Sequence, residues 1–487
     1  MPGEVAAETA PTSAAGADTE TPVEDNPLIG SAPPSPAGPI TEDELAGLAS
    51  PPWIEGSTLQ HTLRFSQRQI EFVFRNRRRY GEVFRMRAVV PGGPAITSHP
   101  DHVRSLFTAK PELAPSLTGE SPLRPIVGGD SVLTAVGARH LRQRKLLLPP
   151  FHGEAIARYS AMISDAAERE IASWPAGEPI ELAPRMQAIT LDVIMAGIFG
   201  IEGQPERGSS EDNLRKVIRW LTEASTTPMA KVGELINSGR TEAVGPLKVA
   251  IGILDRATYK VISERRAQTD LGQRRDIMSI ILQAETEEGE RLTDKEVRDE
   301  LLTLVLAGHE TTANSLAWAW ERLVHNPAAL DAYVDAVRNG GEEARSAWTE
   351  AVIHESMRSR PVIPMIGRRV TVPWRLADYG VPAGSPISMS ILLLHHRPDL
   401  YPDPFSYRPE RWLGHKPGTY EWIPFGGGIR RCLGAALAMA EQRVVLEAIA
   451  RNLDLTYVDP EPERAQHRNV TMIPRQGGLV RIARRIG

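Results

Sequence analysis

The chain has 487 residues, of which 41% are hydrophobic and 24% charged, a composition typical of a globular protein with a sizeable core. The formal net charge of -5 is small, so the sequence lacks the basic surplus of a phosphate-backbone binder, and no nucleic-acid partner is expected. One cysteine excludes an internal disulfide and a zinc site made of several thiolates. It fits a reducing compartment, so we expect a cytoplasmic protein.

The N-terminal residues 1–52 are dominated by Ala, Pro, Gly, Thr, Ser and Glu. Such a mixture cannot bury enough apolar area to offset the entropy of ordering, and it predicts a disordered tail. The tail lacks the basic start and apolar middle of a secretory signal, and no apolar run of about 18 residues occurs that would span a membrane. From Trp53 onward the composition is globular, which predicts one folded domain over residues 53–487.

Helical periodicity dominates this domain. Apolar residues recur three and four positions apart in four long stretches, at residues 155–174, 214–224, 249–269 and 294–325. Strand-like segments are few and short, at residues 82–90, 367–372 and 379–387. The predicted fold class is therefore mainly α with a minor β part.

The longest predicted helix, over residues 294–325, begins after a Thr-x-x-Glu capping box made of Thr293 and Glu296. At 1.5 Å per residue a helix of about 32 residues is about 48 Å long and crosses the whole domain. Its centre is apolar on nearly all sides, yet it contains Gly308 and Glu310. A glycine inside a helix costs about 1 kcal/mol relative to alanine, and several broken local rules at one place indicate a functional site.

Two interpretations of this centre stay open. In the first, it is a kinked core helix whose threonines bond back to preceding carbonyls and whose Glu310 reaches an arginine elsewhere in the fold. In the second, Ala307 and Gly308 leave room beside the helix for a flat ligand, while Glu310 and Thr311 pass protons to it.

A further motif is Glu355-x-x-Arg358, which places two opposite charges on one helical face. The motif is weak by itself, because exposed pairs at this spacing are common and contribute little to stability. The segment YRPERW at residues 407–412 offers Arg411 as a third member.

The lone cysteine, Cys432, lies in the segment PFGGGIRRCLG at residues 424–434. A zinc site lacks further thiolates, and a nucleophilic cysteine would need a histidine base that no nearby motif supplies. The three preceding glycines let the backbone approach a bulky planar group closely. The apolar helical pattern over residues 433–453 places the sulfur at a helix N-terminus, where the dipole favours negative charge. The pattern therefore indicates an anionic sulfur ligand.

The segment from Phe425 to Gly434 resembles the haem-ligand loop of the cytochrome P450 superfamily at every defining position. The other signatures of that family have counterparts in matching order and spacing, namely Ala307-Gly-His-Glu-Thr-Thr312, Glu355-x-x-Arg358 and Pro409-Glu-Arg411-Trp. The resemblance is to the soluble bacterial type. It implies a triangular helical domain with a small β-rich subdomain, and a haem b between the long distal helix and the proximal cysteine loop.

The resemblance also implies roles for single residues. Cys432 would be the thiolate ligand of the haem iron, Phe425 would pack beside its sulfur, and Glu310 and Thr311 would supply protons. The remaining residues implied to contact the haem are Gly426, Gly428, Gly434, Ala307 and Gly308, with Arg430, His140, Arg144 and Arg368 at its propionates. Arg368 is preferred over Arg369 for the last of these positions. The residues implied to form a buried structural network are Glu355, Arg358 and Arg411.

The implied activity is a monooxygenase that inserts one oxygen atom from O2 into a lipophilic small molecule by hydroxylation or epoxidation. One alternative is a peroxide-driven or rearranging haem-thiolate enzyme, which would not need the Glu310 and Thr311 pair. Another is a haem-bound gas sensor, which would be expected to carry an output domain.

The expected partners are a ferredoxin and its NAD(P)H-dependent reductase, acting on a monomeric enzyme without a membrane span. The basic residues considered for docking the ferredoxin are Arg142, Lys145, Arg430, Arg431 and Arg443. The segments expected to contact substrate are residues 113–133, 226–244, 304–307 and 362–366.

Overall fold

The structure of the protein is a computed structural model. It describes residues 26–87, 92–121, 123–151, 153–201, 205–225, 233, 236–237, 240–286, 289–468 and 470–486. Within these residues the fold is mainly helical with short strands in small sheets, which confirms the predicted class.

The α-helices of the described residues are, in chain order, α1 (Glu42–Ala46), α2 (Thr58–Tyr80), α3 (Pro100–Thr108), α4 (Arg124–Val127), α5 (Gly137–Leu147), α6 (Glu154–Ala172), α7 (Leu182–Phe199), α8 (Ser210–Ser225), α9 (Pro246–Arg266), α10 (Ile277–Gln283), α11 (Asp294–Val324), α12 (Pro327–Arg338), α13 (Glu342–Ser359), α14 (Ile391–Leu394) and α15 (Ala435–Asn452). The four predicted long helices correspond to α6, α8, α9 and α11.

The strands of the described residues are β1 (Ala37–Pro39), β2 (Phe84–Arg85), β3 (Ala95–Thr97), β4 (Pro179–Glu181), β5 (Met365–Arg369), β6 (Trp374–Leu376), β7 (Tyr379–Val381), β8 (Pro386–Ser390), β9 (Leu453–Tyr457), β10 (Ala465–Arg468), β11 (Thr471–Pro474) and β12 (Leu479–Arg485). They form sheets in the orders β1-β6-β7, β10-β11, β4-β12-β9 and β2-β3-β8-β5. Only β3 and β8 pair in parallel among these strands. The three predicted strand segments overlap β2, β5 and the pair β7 and β8, while residues 88–90 of the first segment lie outside the described residues.

Helix α11 starts where its capping box predicts. The Thr293 hydroxyl accepts the N–H of Glu296, and the Glu296 carboxylate accepts the N–H of Thr293 at 2.9 Å. The helix runs through the largest hydrophobic cluster of the described residues, which includes Trp320, and the side chains of Trp318 and Trp320 are fully buried. It stops before Pro327, because proline cannot extend the hydrogen-bond ladder of a preceding helix.

Helix α7 packs along the centre of α11. The hydroxyl of Thr190 donates to the carbonyl of His309 at 3.0 Å. By length and composition α7 is also the one helix in the described part of the chain that is apolar enough to cross a membrane. Because 72% of it is buried inside the protein, its apolar character is that of a core helix.

Residues 26–52 are ordered against the domain, so the predicted disordered tail is wrong for this part of the chain. Strand β1 is hydrogen-bonded to β6, the side chain of Asn26 donates to the carbonyl of Arg411 at 2.9 Å, and Arg411 Nη1 donates to the carbonyl of Leu28 at 2.9 Å. These partners are distant in sequence, and composition carries no signal of them. Residues 1–25 lie outside the described residues.

Candidate active site around Cys432

The loop before Cys432 has a shape that requires glycine. Gly426 and Gly428 have φ angles of 65° and 61°, in the left-handed region that favours glycine. A Cβ atom at Gly428 would also lie 2.3 Å from the carbonyl oxygen of Phe107 in α3. The N–H of Cys432 donates to the carbonyl of Phe425 at 2.9 Å and closes the loop. The sulfur therefore stands just before the first turn of α15, as the sequence predicts.

Cys432 is a free thiol that solvent reaches, although it is surrounded by protein closely enough that burial raises the pKa of the thiol. A hydrogen bond from the N–H of Gly434 and the charges of Arg144 and Arg431 oppose this rise in pKa. The thiol is therefore enclosed by the surrounding protein while its own surface stays open to solvent. In the described part of the chain, no group of three His, Cys, Asp or Glu side chains could hold a metal by itself.

Four basic side chains, His140, Arg144, Arg368 and Arg430, lie close together, and we call them the basic cluster. Burial, followed by the charges of Arg430, Arg144 and Arg368, lowers the pKa of His140 to about 4. Burial also lowers the pKa of Arg368 to about 10, and burial with the charges of Arg368 and Arg144 lowers that of Arg430 to about 10. Arg144 lies within electrostatic range of Cys432, so the cluster and the sulfur belong to one site.

No carboxylate among the described residues pairs with the basic cluster. Arg368 donates only to the carbonyl of its neighbour Gly367, at 3.3 Å, whereas Arg369 forms an ion pair with Glu120 at 2.8 Å. Buried cations without an anion are unfavourable. The cluster is therefore suited to binding an anionic group from outside the chain, and this geometry supports the preference for Arg368 over Arg369.

The basic cluster is linked to α11 through Val132. The carbonyl of Val132 accepts from Arg430 Nη1 at 3.1 Å, and its N–H donates to the carboxylate of Glu300 in α11 at 2.8 Å. The sulfur, the cluster and the long helix thus surround one region of the protein.

The centre of α11 has one accessible face in an otherwise buried helix. Ala307 is exposed, and Leu304 and Thr311 are partly exposed. Residues at this spacing share a helical face, so this face is open to solvent. Gly308 does not add to that open space, because a Cβ atom there would lie 2.6 Å from Ile194 Cδ1 of α7. The prediction that Gly308 leaves room for a ligand is corrected: its missing side chain makes room for α7.

The two residues predicted to handle protons both have partners. Thr311 Oγ1 donates to the carbonyl of Ala307. Glu310 Oε1 lies 2.7 Å from Nη2 and 3.1 Å from Nε of Arg468, and 3.2 Å from the hydroxyl of Thr471. Both contacts of the core-helix interpretation are therefore present, the threonine bonding back and the glutamate reaching an arginine. The accessible face formed by Ala307 and Thr311 is the feature that this interpretation does not explain.

The structure brings Glu355, Arg358 and Arg411 together, and we call them the paired network. Arg358 donates to both oxygens of Glu355 at 2.8 Å, and Arg411 Nε lies 3.1 Å from Glu355 Oε2. All three side chains are fully buried. Burial lowers the pKa of Arg358, but the attraction and hydrogen bonds of Glu355 outweigh it, and the pKa is raised overall. The Trp412 indole N–H donates to the same carboxylate at 3.0 Å.

These residues fit a haem by the chemistry of their donors. An enclosed thiol supplies a ligand for iron, and the basic cluster supplies buried cations for two carboxylates. Ala307 lies on an accessible helical face that could lie against a flat ring. A haem with propionate groups needs a sulfur ligand, unpaired cations and a flat apolar wall, which are the features found here.

Comparison with known proteins agrees with this geometry. The sequence profile of the family described as Cytochrome P450 matches residues 48–481. The chain belongs to the cytochrome P450 family. Cytochrome P450 137 of Mycobacterium tuberculosis is 37% identical over 405 residues, which are 83% of each chain. Cytochrome P450 138 of Mycobacterium bovis is 36% identical over 437 residues, covering 89% of this chain and 96% of the relative.

Solved cytochrome P450 structures show the same fold. The cyanobacterial CYP120A1 with bound retinoic acid has a TM-score of 0.74 at 22% identity, covering 90% of this chain and 100% of that one. The haem domain of cytochrome P450DA has a TM-score of 0.72 at 22% identity, covering 90% and 98%. Family membership makes this protein a cytochrome P450 monooxygenase with haem b as its cofactor, which takes electrons from redox partners and acts on lipophilic substrates and O2.

Sequence reasoning missed Arg468 and Thr471 as partners of Glu310, and Leu28 as a partner of Arg411. The first two flank the turn of the β10-β11 hairpin, far from Glu310 in sequence. The bond from Arg411 goes to the main-chain carbonyl of Leu28, which any residue type could supply. A Thr three residues after an Arg at a strand turn is too common to serve as a signal.

Proposed function

We propose that Cys432 would supply the thiolate ligand of the haem iron in this cytochrome P450, and that the basic cluster would hold the propionates. The observation that carries this assignment is an enclosed free thiol beside four basic side chains that have no carboxylate partner among the described residues. The N–H of Gly434 supports it, because a hydrogen bond to the sulfur stabilises the thiolate form. Phe425 contributes by accepting the N–H of Cys432 and packing its ring edge-to-face on Trp422.

We assign proton delivery to Thr311 and Glu310. A hydroxyl has one proton and two acceptor lone pairs. Because the Thr311 proton is donated to the carbonyl of Ala307, its lone pairs remain for a water on the accessible face. That water can receive a proton that Glu310 exchanges with solvent, since the Glu310 side chain is 26% exposed.

The proposed reaction is hydroxylation or epoxidation. Haem, when bound, supplies the binding and activation of dioxygen at iron. Two electrons, two protons and one O2 yield one oxygenated substrate and one water. The roles of the chain are to ligate iron through Cys432, to orient the cofactor through the basic cluster, and to pass protons through Glu310 and Thr311.

We propose a ferredoxin and an NAD(P)H-dependent reductase as the electron donors, with the enzyme monomeric and cytoplasmic. Of the five basic residues considered for docking, Arg142 is paired with Glu290 and Glu296 and Arg443 with Glu350. Charge complementarity would therefore rest more on the exposed Arg431.

The accessible Leu304 and Ala307, and the partly buried segment over residues 362–366, are the proposed substrate walls. Most of residues 226–244 lie outside the described residues. The apolar character of these walls favours a lipophilic substrate.

The assignment of Cys432 is tested by the carbon monoxide difference spectrum of the reduced protein. Wild type is expected to show the thiolate signature, and Cys432→Ser to lose it. Cys432→His is the matched control, because it offers a different ligand and should give an imidazole signature. A thiolate signature in Cys432→Ser would contradict the assignment.

The assignment of Thr311 is tested by the fraction of NADPH electrons that appears as hydrogen peroxide. Thr311→Ala is expected to raise this fraction, because the water proposed to bind the Thr311 hydroxyl would lose its hydrogen-bond partner. Thr311→Ser keeps the hydroxyl and should resemble wild type. Normal coupling in Thr311→Ala, together with efficient peroxide-supported turnover, would instead favour the peroxide-driven alternative.

A further inference from the structure

The carboxylate of Glu310 is held from outside its own helix by the β10-β11 hairpin. Arg468 donates to Glu310 Oε1 through Nη2 at 2.7 Å and through Nε at 3.1 Å. The hydroxyl of Thr471 lies 3.2 Å from the same oxygen and 2.8 Å from the carbonyl of Arg468, so its single proton is shared between two acceptors. No residue that the structure describes donates a hydrogen bond to Glu310 Oε2.

The β10-β11 hairpin is anchored through the main chain of Met472, which is bonded on one side to α11 and on the other to the segment before β5. The indole N–H of Trp318, two turns beyond Glu310 in α11, donates to the carbonyl of Met472 at 3.0 Å. The N–H of Met472 donates to the carbonyl of Val362 at 2.7 Å. Arg468 and Thr471 pair with each other in the register of this hairpin, so the backbone that carries both side chains is joined to α11.

The arrangement of this ion pair differs from that of an arginine that serves packing alone. In the paired network, Arg358 bonds both oxygens of Glu355 and neither side chain is exposed. Here both Arg468 contacts converge on one oxygen, and the two side chains are 20% and 26% exposed. Arg468 therefore fixes Oε1 of Glu310, whereas Oε2 is left for solvent.

We propose that Arg468 is a positioning residue for proton delivery. It fixes Glu310 Oε1 so that Oε2 stays available to exchange protons with the water proposed to bind Thr311. Thr471 is a secondary contact to the fixed oxygen. This inference rests on the proposed role of Glu310 in the function above.

The kinetic test compares Arg468→Gln, Arg468→Lys and Glu310→Gln with wild-type holoenzyme. NADPH-dependent dioxygen consumption is measured in H2O and D2O, with a [2Fe-2S] ferredoxin and its reductase as surrogate partners and dodecanoic acid as the probe substrate. General acid catalysis is worth about 100-fold or more, so loss of its positioning is expected to slow Arg468→Gln by about tenfold and to raise its solvent isotope effect. Arg468→Lys keeps a charged donor and should recover part of the rate.

The matched control is Arg475→Gln, which removes an exposed arginine just beyond the end of β11. It should leave both the rate and the isotope effect unchanged. A readout independent of turnover is the urea midpoint of the holoenzyme for Arg468→Gln, Glu310→Gln and the double variant. The sum of the urea-midpoint shifts of the two single variants should exceed the shift of the double variant, because the Arg468–Glu310 pair can be lost only once.

The outcomes separate the two hypotheses. If Glu310→Gln consumes dioxygen like wild type, the proposed proton role of Glu310 fails, and Arg468 has nothing to position. If Glu310→Gln is slow while Arg468→Gln keeps the wild-type rate and isotope effect, only the role of Arg468 is overturned. If Arg468→Gln is slow but its midpoint shift adds to that of Glu310→Gln, the residue acts by another route and the inference is also overturned.

Discussion

The paired network and the basic cluster contain the same kind of side chain in opposite electrostatic settings. In the paired network, two fully buried arginines share the carboxylate of Glu355. In the basic cluster, Arg368, Arg430 and Arg144 stand with His140, and no carboxylate of the described residues pairs with them. The first group has its carboxylate within the chain, whereas the second would gain one only from a bound group.

The difference shows how a structural cation can be told from a binding cation. In the paired network, Glu355 raises the pKa of Arg358 against the effect of burial. In the cluster, burial and the neighbouring cations lower the pKa of Arg430 to about 10, and the charge that opposes burial at Arg144 is that of Cys432. Removing a residue should therefore have opposite consequences in the two groups.

The largest effect is expected from Glu355→Gln, which leaves two buried arginines without their counter-charge. Breaking a buried ion pair in this way costs about 3 to 5 kcal/mol of the free energy of unfolding. Urea unfolding of the holoenzyme would measure the loss. The matched control is Glu350→Gln, which breaks a half-exposed pair with Arg443 and should cost at most about 1 kcal/mol. If Glu355→Gln and Glu350→Gln lose the same free energy of unfolding, the buried network is no more important to stability than the half-exposed pair.

A smaller effect, seen mainly in haem binding, is expected from Arg368→Met. A hydrogen bond to a charged group is worth about 1.5 to 3 kcal/mol, so haem transfer to apomyoglobin should become about 10- to 100-fold faster. The haem-free protein should unfold at the same urea concentration or a higher one, because repulsion within the cluster is relieved. Arg369→Gln, which loses only the contact with Glu120, should retain haem normally. If Arg368→Met unfolds at a lower urea concentration without haem but transfers haem at the wild-type rate, Arg368 has a structural role instead.

The smallest effect at neutral pH is expected from His140→Asn, whose effect depends on pH. The pKa of His140 is about 4 in the folded protein against an ordinary value of about 6.5. As the pH falls from about 6.5 to about 4, the unfolded chain takes up a proton that the folded chain refuses, so stability falls across this window. His140→Asn should flatten this fall in the haem-free protein by up to about 3 kcal/mol near the acid end of the window and change almost nothing above it. Identical pH profiles of unfolding in the two proteins would contradict this.

Local signals in the sequence predicted the elements that carry the site. The capping box fixed the start of α11 because Thr293 and Glu296 bond each other across a single turn. The glycines before Cys432 predict close approach to a bulky planar group, whereas the neighbour that Gly427 and Gly428 meet among the described residues is Phe107 of α3. The Glu355 and Arg358 pair followed from helical spacing.

Contacts between distant segments could not be predicted in this way. Gly308 was interpreted through the space it leaves, but whether Ile194 or a ligand fills that space depends on how α7 packs. Arg468 reaches Glu310 from a hairpin 158 residues away, and neither segment carries a pattern that names the other. Such pairings are set by tertiary packing.

The bonds between residues 26–28 and Arg411 bear on where this protein can be shortened. The matching family profile begins only at residue 48, and trimming the chain to that position would delete the carbonyl of Leu28 that accepts from Arg411 Nη1. A buried guanidinium would then lose an acceptor far from the cut end. The segment upstream of the matched profile thus supplies an acceptor to a buried charge of the domain, and expression trials should retain it.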